Sequence, residues 1–222
     1  MRREGRITRA QSDALECLWP EYGVDLEPGA FDLETVFARD CPVIAEIGFG
    51  NGGALLAMAA ENPQCNFLGI EVYRPGVGSL LLSLKRLGIT NVRIVMEDAV
   101  LALQNRLRNE CLSKILIFFP DPWPKKRHHK RRLLQAGFLD SAVRCLQPGG
   151  HIHIVTDWED YANHISSLLQ NEQRLLNNAG EGRFIDRPAY RPQTKYEDRG
   201  TARGHKVWDM VYERKRDSGK TI

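Results

Sequence analysis

Short apolar runs alternate with helical patterns through most of this chain, and this alternation constrains the fold more than any other feature. Five runs are typical of strands, at residues 42–47, 66–72, 92–96, 114–119 and 151–156. Helical patterns follow them at residues 54–60, 75–87, 99–109, 131–146 and 158–171. Strands and helices that alternate in this way favour an α/β fold with an open, doubly wound, mostly parallel sheet.

The two ends of the chain depart from this pattern. Residues 1–40 read as a polar N-terminal arm with a weak helical signal, which we expect to be partly flexible. Residues 180–205 are rich in Pro, Gly and Arg and predict a loop, and residues 207–213 predict a last strand. The expected organisation is an arm at 1–40, one domain at 41–214 and a tail at 215–222.

Composition excludes several classes of protein. The 222 residues are 42% hydrophobic, and no apolar run approaches the roughly 18 residues that a membrane span requires. The five cysteines are scattered, with no CxxC pair, so neither a disulfide framework nor a metal site is expected. The basic N-terminus has no apolar segment of the kind that secretory signals carry. We therefore expect a cytoplasmic protein without a membrane partner, either a monomer or a homodimer.

A glycine-rich loop follows the first predicted strand. Gly48 and Gly50 begin the sequence GFGNGG, which matches the pattern G-x-G-x-x-G, and Glu71 follows about twenty residues later. Glycines allow a tight turn and a close approach to a ligand, and the later acid can hold two ribose hydroxyls. Nicotinamide dinucleotides and S-adenosylmethionine both suit this arrangement, so the loop by itself does not choose between them.

Two further acids favour S-adenosylmethionine. Glu46 stands two residues before Gly48, where a carboxylate suits a cationic sulfonium or ammonium group and would repel a pyrophosphate. Asp98 follows the third predicted strand, where it could accept a hydrogen bond from the adenine amino group.

Asp121 follows the fourth predicted strand and is flanked by two prolines. The segment 120–132, PDPWPKKRHHKRR, carries six Lys and Arg against one Asp, a local charge of +5 in a chain whose net charge is +3. Such a concentrated patch indicates a binding site for a polyanion. It is expected next to the edge of the sheet that would bind the S-adenosylmethionine. Arg131 and Arg132 also begin a predicted helix, where positive charge opposes the helix dipole, and this favours a ligand role for them.

The motifs together resemble the bacterial tRNA (guanine-N7-)-methyltransferase family. The similar segments are EIGFGNGG, GIEVYRPGVG, FPDPWPKKRHHKRR, TDWEDYA and RPQTKYEDRGTARGHKVWD, in order through nearly the whole chain. The resemblance implies a class I, Rossmann-like methyltransferase fold with a seven-stranded sheet, S-adenosylmethionine as donor, and guanosine 46 of the tRNA variable loop as acceptor.

The resemblance also implies roles for individual residues. Those implied to bind the donor are Glu46, Gly48, Gly50, Glu71, Asp98 and Asp121, with Asp121 also in the catalytic position. Those implied to contact the substrate are Lys125, Asp157, Thr194, Lys195, Tyr196 and Glu197. The segment implied to interact with RNA is Arg127, His128, His129, Lys130, Arg131 and Arg132.

Three alternatives stay open on the sequence. A nicotinamide-dependent oxidoreductase would use the same glycine loop, and an RNA-binding module without catalysis would use the same basic patch. An amino-group methyltransferase acting on other RNA or DNA bases typically carries D/N-P-P-aromatic, whereas Trp123 stands here in place of the second proline.

Overall fold

The structure is a computed structural model, and it describes residues 5–27, 29–193, 197 and 206–216. Its strands are β1 Val43–Ile47, β2 Asn66–Ile70, β3 Val92–Val95, β4 Leu112–Phe118, β5 Leu146–Thr156, β6 Leu175–Asn177 and β7 Trp208–Arg214. They form a seven-stranded sheet in the order β3-β2-β1-β4-β5-β7-β6. This mixed sheet with its helices confirms the predicted α/β class.

The helices connect these strands in the order that the sequence predicts. They are α1 Arg9–Cys17, α2 Trp19–Tyr22, α3 Leu33–Phe37, α4 Gly53–Glu61, α5 Arg74–Leu87, α6 Ala99–Leu101, α7 Ala136–Cys145 and α8 Glu159–Gln170. A π-helical turn, Ala102–Arg106, continues α6, and a 3-10 helix, Lys126–Arg131, precedes α7. None of the helices in the described ranges has both the length and the apolar character needed to cross a membrane.

The structure corrects the predicted helix over residues 131–146. The helix α7 begins at Ala136, because the residues before it form the 3-10 helix and an extended connection. The Gln135 side chain closes this connection by donating to the carbonyl oxygens of His129 and Arg132. Arg131 and Arg132 therefore do not begin an α-helix, and the prediction that they oppose a helix dipole is wrong.

Two other elements differ from the expectation. The predicted helix over residues 99–109 is a short α-helical turn followed by the π-helical turn, and it ends at Arg106. The resemblance implies seven strands, but the residue pattern does not locate strand β6, because it has three residues and is defined by its antiparallel pairing with the distant β7.

The chain divides into two compact units, the first comprising Met1–Arg108 and Ala189–Thr194. Its strands pair in parallel, with Val43 opposite Asn66 and Phe67 opposite Val92. Part of the predicted arm is helical: Thr8 and Gln11 form a capping box at α1, and Gln11 Nε2 donates to Ser79 Oγ of α5 at 2.9 Å. The boundaries of the predicted arm, domain and tail stay predictions.

The second unit comprises Asn109–Pro188 and Lys195–Ile222. Strands β4 and β5 are parallel, and β7 runs antiparallel to both β5 and β6. Helices α7 and α8 pack on β5, and their fully buried side chains include Ala142, Val143, Tyr161 and Ile165. This core supports the loops that follow β4 and β5, which carry the acidic and basic residues singled out above.

Candidate active site

The glycine loop after β1 has the backbone conformation that its sequence predicts. Gly48, Gly50 and Gly52 have φ angles of 71°, 58° and 75°, a region that side chains disfavour. A Cβ on Gly76 of α5 would lie 2.0 Å from the Gly50 carbonyl oxygen. The backbone of α5 therefore packs directly against the loop, and only a glycine fits at this position. A Cβ on Gly48 or Gly50 would meet nothing within 4 Å, so that side of the loop is open to a ligand.

Glu71 joins the glycine loop to the end of β2. Its Oε2 accepts a hydrogen bond from the Gly50 backbone N–H at 2.8 Å. Its Oε1 accepts from the backbone N–H groups of Val72 and Tyr73 at 2.7 and 2.9 Å. The residue expected to bind a ribose therefore also organises the loop that would lie beneath the ligand.

Glu46 is a buried carboxyl group in this same region. Only 3% of the residue is exposed, and its Oε2 has no hydrogen-bond partner among the described residues. Burial, together with the negative charge of Glu71, raises the pKa of Glu46 to about 8. A buried acid that lacks a partner suits a cationic ligand group, which would restore its charged form.

Asp98 follows β3 on the surface of the same unit. Its Oδ1 accepts a hydrogen bond from the Val100 backbone N–H at 2.9 Å and caps α6. The structure thus brings Glu46, Glu71 and the glycine loop together in the first unit and places Asp98 at the next strand end.

Asp121 lies exposed in a short loop after β4. The loop starts in register with the sheet, since the Phe119 N–H donates to the Val155 carbonyl oxygen at 2.8 Å. Phe119 and Trp123, which stand two residues before and after Asp121, have φ angles of 51° and 45°. Such left-handed conformations are unfavourable for bulky side chains and occur typically at functional sites.

The basic 3-10 helix follows this loop directly. Lys126, Arg127, Lys130 and Arg131 are exposed, as is the preceding Lys125. The Arg131 guanidinium lies 5.0 Å from the centre of the Trp123 ring, and the His128 ring contacts Trp123 edge-on at 5.8 Å. His129 is half-buried, with Nε2 3.8 Å from Asp160 Oδ2. The helix therefore presents four cations to solvent within six residues.

Arg132 differs from its neighbours because its side chain is only 2% exposed. Its Nε donates to the Pro122 carbonyl oxygen at 2.9 Å, and its Nη2 donates to Asp160 Oδ2 at 2.5 Å. Its guanidinium also lies 4.7 Å from the centre of the Tyr161 ring. The side chain is thus held inside the protein, and the RNA contact that the resemblance implies for Arg132 stays a prediction.

A cavity of about 400 Å³ opens at the end of β5. It is lined by Asp157, Trp158, Glu159, Asp160, Lys206 and Trp208. Asp157 is one of the predicted substrate contacts, and Trp158 is about one-third exposed, at 37%. The sequence analysis did not single out Lys206, whose Nζ lies 5.8 Å from the centre of the Trp208 ring. Lys206 stands two residues before Trp208, and in an extended segment this spacing places two side chains on the same face.

The remaining predicted substrate contacts are described only in part. Glu197 is buried at 8% exposure, whereas Thr194, Lys195 and Tyr196 lie outside the described residues. Within the described ranges, no group of three or more His, Cys, Asp or Glu side chains could hold a metal ion.

Comparisons with known proteins agree in pointing to methyl transfer. Residues 40–210 match a family described as putative methyltransferases. The chain is 51% identical over 212 residues to a tRNA (guanine-N(7)-)-methyltransferase of Methylococcus capsulatus, covering 96% of this chain and 91% of the relative. It is 49% identical to one of Hydrogenovibrio crunogenus, covering 96% and 88%.

Solved structures with low sequence identity show the same fold. The 16S rRNA methyltransferase KamB aligns with a TM-score of 0.61 at 12% identity, over 86% of this chain and 95% of that one. An aminoglycoside resistance methyltransferase aligns with a TM-score of 0.56 at 14% identity, over 82% and 91%.

Proposed function

The chain belongs to the family of tRNA (guanine-N(7)-)-methyltransferases, and from this premise we propose that it methylates N7 of guanosine 46 in the variable loop of tRNA. The donor is S-adenosylmethionine. The observation that carries the proposal is an identity of about half over nearly the whole chain with relatives that bear this name. Such a reaction belongs in the cytoplasm, where tRNA acts.

The donor is proposed to bind at the glycine loop and the acids near it. When bound, S-adenosylmethionine supplies an electrophilic methyl group on a positively charged sulfur. The buried Glu46 carboxyl, which lacks a partner among the described residues, suits a cationic part of such a ligand. The open face of Gly48 and Gly50 allows close approach, and Glu71 and Asp98 supply acceptors for hydroxyl and amino groups.

Guanine N7 carries a lone pair and no proton, so its methylation needs no general base. The chain's residues then contribute alignment, which can supply about 7–11 kcal/mol, and electrostatic stabilisation. We assign the electrostatic role to Asp121, whose carboxylate would offset the positive charge that develops on the purine. The flanking Pro120 and Pro122 restrict the backbone that carries it.

The basic residues are proposed to bind the RNA backbone. Lys125, Lys126, Arg127, Lys130 and Arg131 are exposed and suit phosphates, with His128 and His129 beside them. In A-form RNA, N7 faces a deep and narrow groove, so the acceptor base must lie unstacked in a loop. Asp157 and Glu197 could then accept hydrogen bonds from guanine N1–H and N2–H₂, and residues 194–196 would complete these contacts.

The direct test is to map the methyl group on unmodified tRNA incubated with the protein and labelled S-adenosylmethionine. We expect label at guanosine 46, cleavable by chemistry selective for 7-methylguanosine, and none on a matched tRNA with adenosine at that position. Label on an amino group of adenine or cytosine would replace the proposal with an amino-group methyltransferase.

The role of Asp121 is tested by Asp121→Asn, which preserves size and removes the charge. We expect kcat to fall about 10²–10³-fold, the range for loss of one electrostatic stabiliser. The matched control is Asp140→Asn, an exposed Asp of α7 paired with Arg174, which should keep kcat unchanged. A kcat near that of the wild type in Asp121→Asn would remove the assignment.

A further inference from the structure

Two adjacent arginines of the basic segment have different surroundings. Arg131 is exposed above the Trp123 ring, whereas Arg132 is buried. We propose that Arg132 is a positioning residue, which holds the loop that carries Asp121 and does not bind RNA phosphate. This inference rests on the proposed function, because it assigns Asp121 as the residue that is positioned.

The contacts of Arg132 bridge two parts of the second unit. Its Nε donates to the Pro122 carbonyl oxygen at 2.9 Å, one residue after Asp121. Its Nη2 donates to Asp160, in the first turn of α8, at 2.5 Å. The planar fork of an arginine can reach both acceptors in fixed directions, and lysine cannot reproduce this geometry. Arg132 thus ties the Asp121 loop to a helix that packs on the sheet.

Tyr161 provides the surface on which the Arg132 guanidinium lies. The Tyr161 hydroxyl oxygen accepts a hydrogen bond from the Leu134 N–H at 3.2 Å, which fixes the ring. Burial raises the pKa of Tyr161 to about 12, with a smaller contribution from the charge of Asp121. The charge of Asp121 therefore acts on the ring that supports the Arg132 guanidinium.

The loop needs such support because its own backbone is unfavourable. Phe119 and Trp123 hold left-handed conformations, which persist where the surroundings over-determine them. Pro120 and Pro122 have no N–H group, so the loop has fewer backbone donors with which to hold itself. The hydrogen bond from Arg132 to the Pro122 carbonyl oxygen supplies a restraint from outside the loop.

The test compares Arg132→Lys with a matched variant of another arginine. We expect Arg132→Lys to lower kcat for tRNA methylation about 10²-fold, the effect of a displacement of about 1 Å at a reacting centre. The KM for tRNA and its salt dependence should stay as in the wild type. Arg131→Gln should instead raise the KM for tRNA and weaken its salt dependence.

The matched control is Arg214→Lys, because Arg214 also pairs with an acid, Glu110, and donates to the Leu146 carbonyl oxygen. We expect it to lower the melting temperature without changing kcat. If Arg132→Lys does not fold, Asp160→Asn removes the ion pair and keeps the hydrogen bond to Pro122, so it should show the same changes to a smaller extent.

Hydrogen–deuterium exchange measures the mobility of the Asp121 loop directly, so its result does not depend on the proposed function. Amide exchange should be faster in Arg132→Lys than in the wild type, and unchanged in Arg214→Lys, at the residues between 119 and 125 that have an N–H group, which are Phe119, Asp121, Trp123 and Lys125. Unchanged exchange in Arg132→Lys would overturn the inference. Faster exchange would also overturn it if the wild type is active and Arg132→Lys has the same kcat. A weaker salt dependence of the KM for tRNA in Arg132→Lys would overturn it as well. A wild type that methylates no tRNA would instead overturn the proposed function, and exchange would still decide whether Arg132 holds the loop.

Discussion

Glu46 is the residue whose chemistry depends most strongly on burial. Its carboxyl group is buried in the first unit near Glu71, and its Oε2 has no hydrogen-bond partner in the part of the chain that the structure describes. Its pKa of about 8 means that the protonated form predominates at neutral pH. A cationic ligand group would favour the ionised form, so we expect donor affinity to increase as the pH rises towards 8.

This pKa also makes the stability of the ligand-free protein depend on pH. The folded pKa of Glu46 lies above its ordinary value of 4.5, so the folded state binds the proton more tightly than the unfolded state. Its contribution to the free energy of unfolding is full below pH 4.5 and is lost as the pH rises through about 8. The loss is at most about 1.4 kcal/mol per pH unit.

Glu46→Gln, which cannot ionise, should show a smaller decrease in stability between pH 5 and pH 9 than the wild type. Urea unfolding across this range measures the effect. The exposed Glu61→Gln in α4 is the control and should follow the wild-type curve. Parallel curves for the wild type and Glu46→Gln would contradict a raised pKa.

At the scale of elements, the 3-10 helix carries a dense run of exposed cations. Four exposed cations fall within the six residues Lys126–Arg131. The Arg131–Trp123 contact links this helix to the loop that carries Asp121. One short element can therefore present a polyanion site next to the proposed catalytic residue.

Neutralising this element should weaken tRNA binding in a salt-dependent way. Each of Lys126→Gln, Arg127→Gln and Lys130→Gln should reduce the slope of log affinity against log salt by about 0.7–0.9, the change for one lost phosphate contact. Filter binding at several salt concentrations measures the slope. Arg174→Gln, which removes a cation paired with Asp140 and Glu172, should leave it unchanged. An unchanged slope in all three variants would show that these side chains are solvated and do not contact RNA phosphates.

The glycine loop depends on a close contact with α5, and Gly76→Ala tests it. The added methyl group would collide with the Gly50 carbonyl oxygen, so we expect a loss of about 1–3 kcal/mol in stability and weaker donor binding. Gly137→Ala is matched, because Gly137 also lies in the first turn of a helix and its Cβ would meet nothing within 4 Å. That variant should be neutral or stabilising, and equal effects of the two substitutions would contradict the close contact.

At the scale of the whole molecule, the fold does not select the acceptor. Solved structures that share it at 12–14% identity include a 16S rRNA methyltransferase and an aminoglycoside resistance methyltransferase. We therefore expect local features, such as the basic 3-10 helix and the residues around Asp157, to select the acceptor.

Ligand binding to the whole protein separates the proposed donor from a nicotinamide cofactor. S-adenosylhomocysteine at about 100 times its Kd should raise the free energy of unfolding by about 2.7 kcal/mol, because it binds the folded state alone. NAD at the same concentration should have no effect. Thermal or urea unfolding measures both, and stabilisation by NAD would favour an oxidoreductase.

The alternation of strands and helices, the glycine loop and the order of the acids can be predicted without the structure, because they depend on residues close together in the chain. Local patterns are sufficient where apolar periodicity or a turn conformation decides the structure. The same locality explains why the boundaries of α4, α5 and α8 agree closely with prediction. The family resemblance, which also rests on the order of motifs, was confirmed by relatives about half identical to this chain.

The environments of individual charged groups, in contrast, depend on how the chain packs after it folds. Arg132 is buried because Asp160 and Tyr161, nearly thirty residues later, receive its side chain. Strand β6 exists because the distant β7 pairs with it. The pKa of Glu46 is raised because folding removes water from it near Glu71. Burial and electrostatic partners depend on contacts between distant segments. The sequence of a segment with six basic residues therefore cannot show which of them stay exposed to solvent.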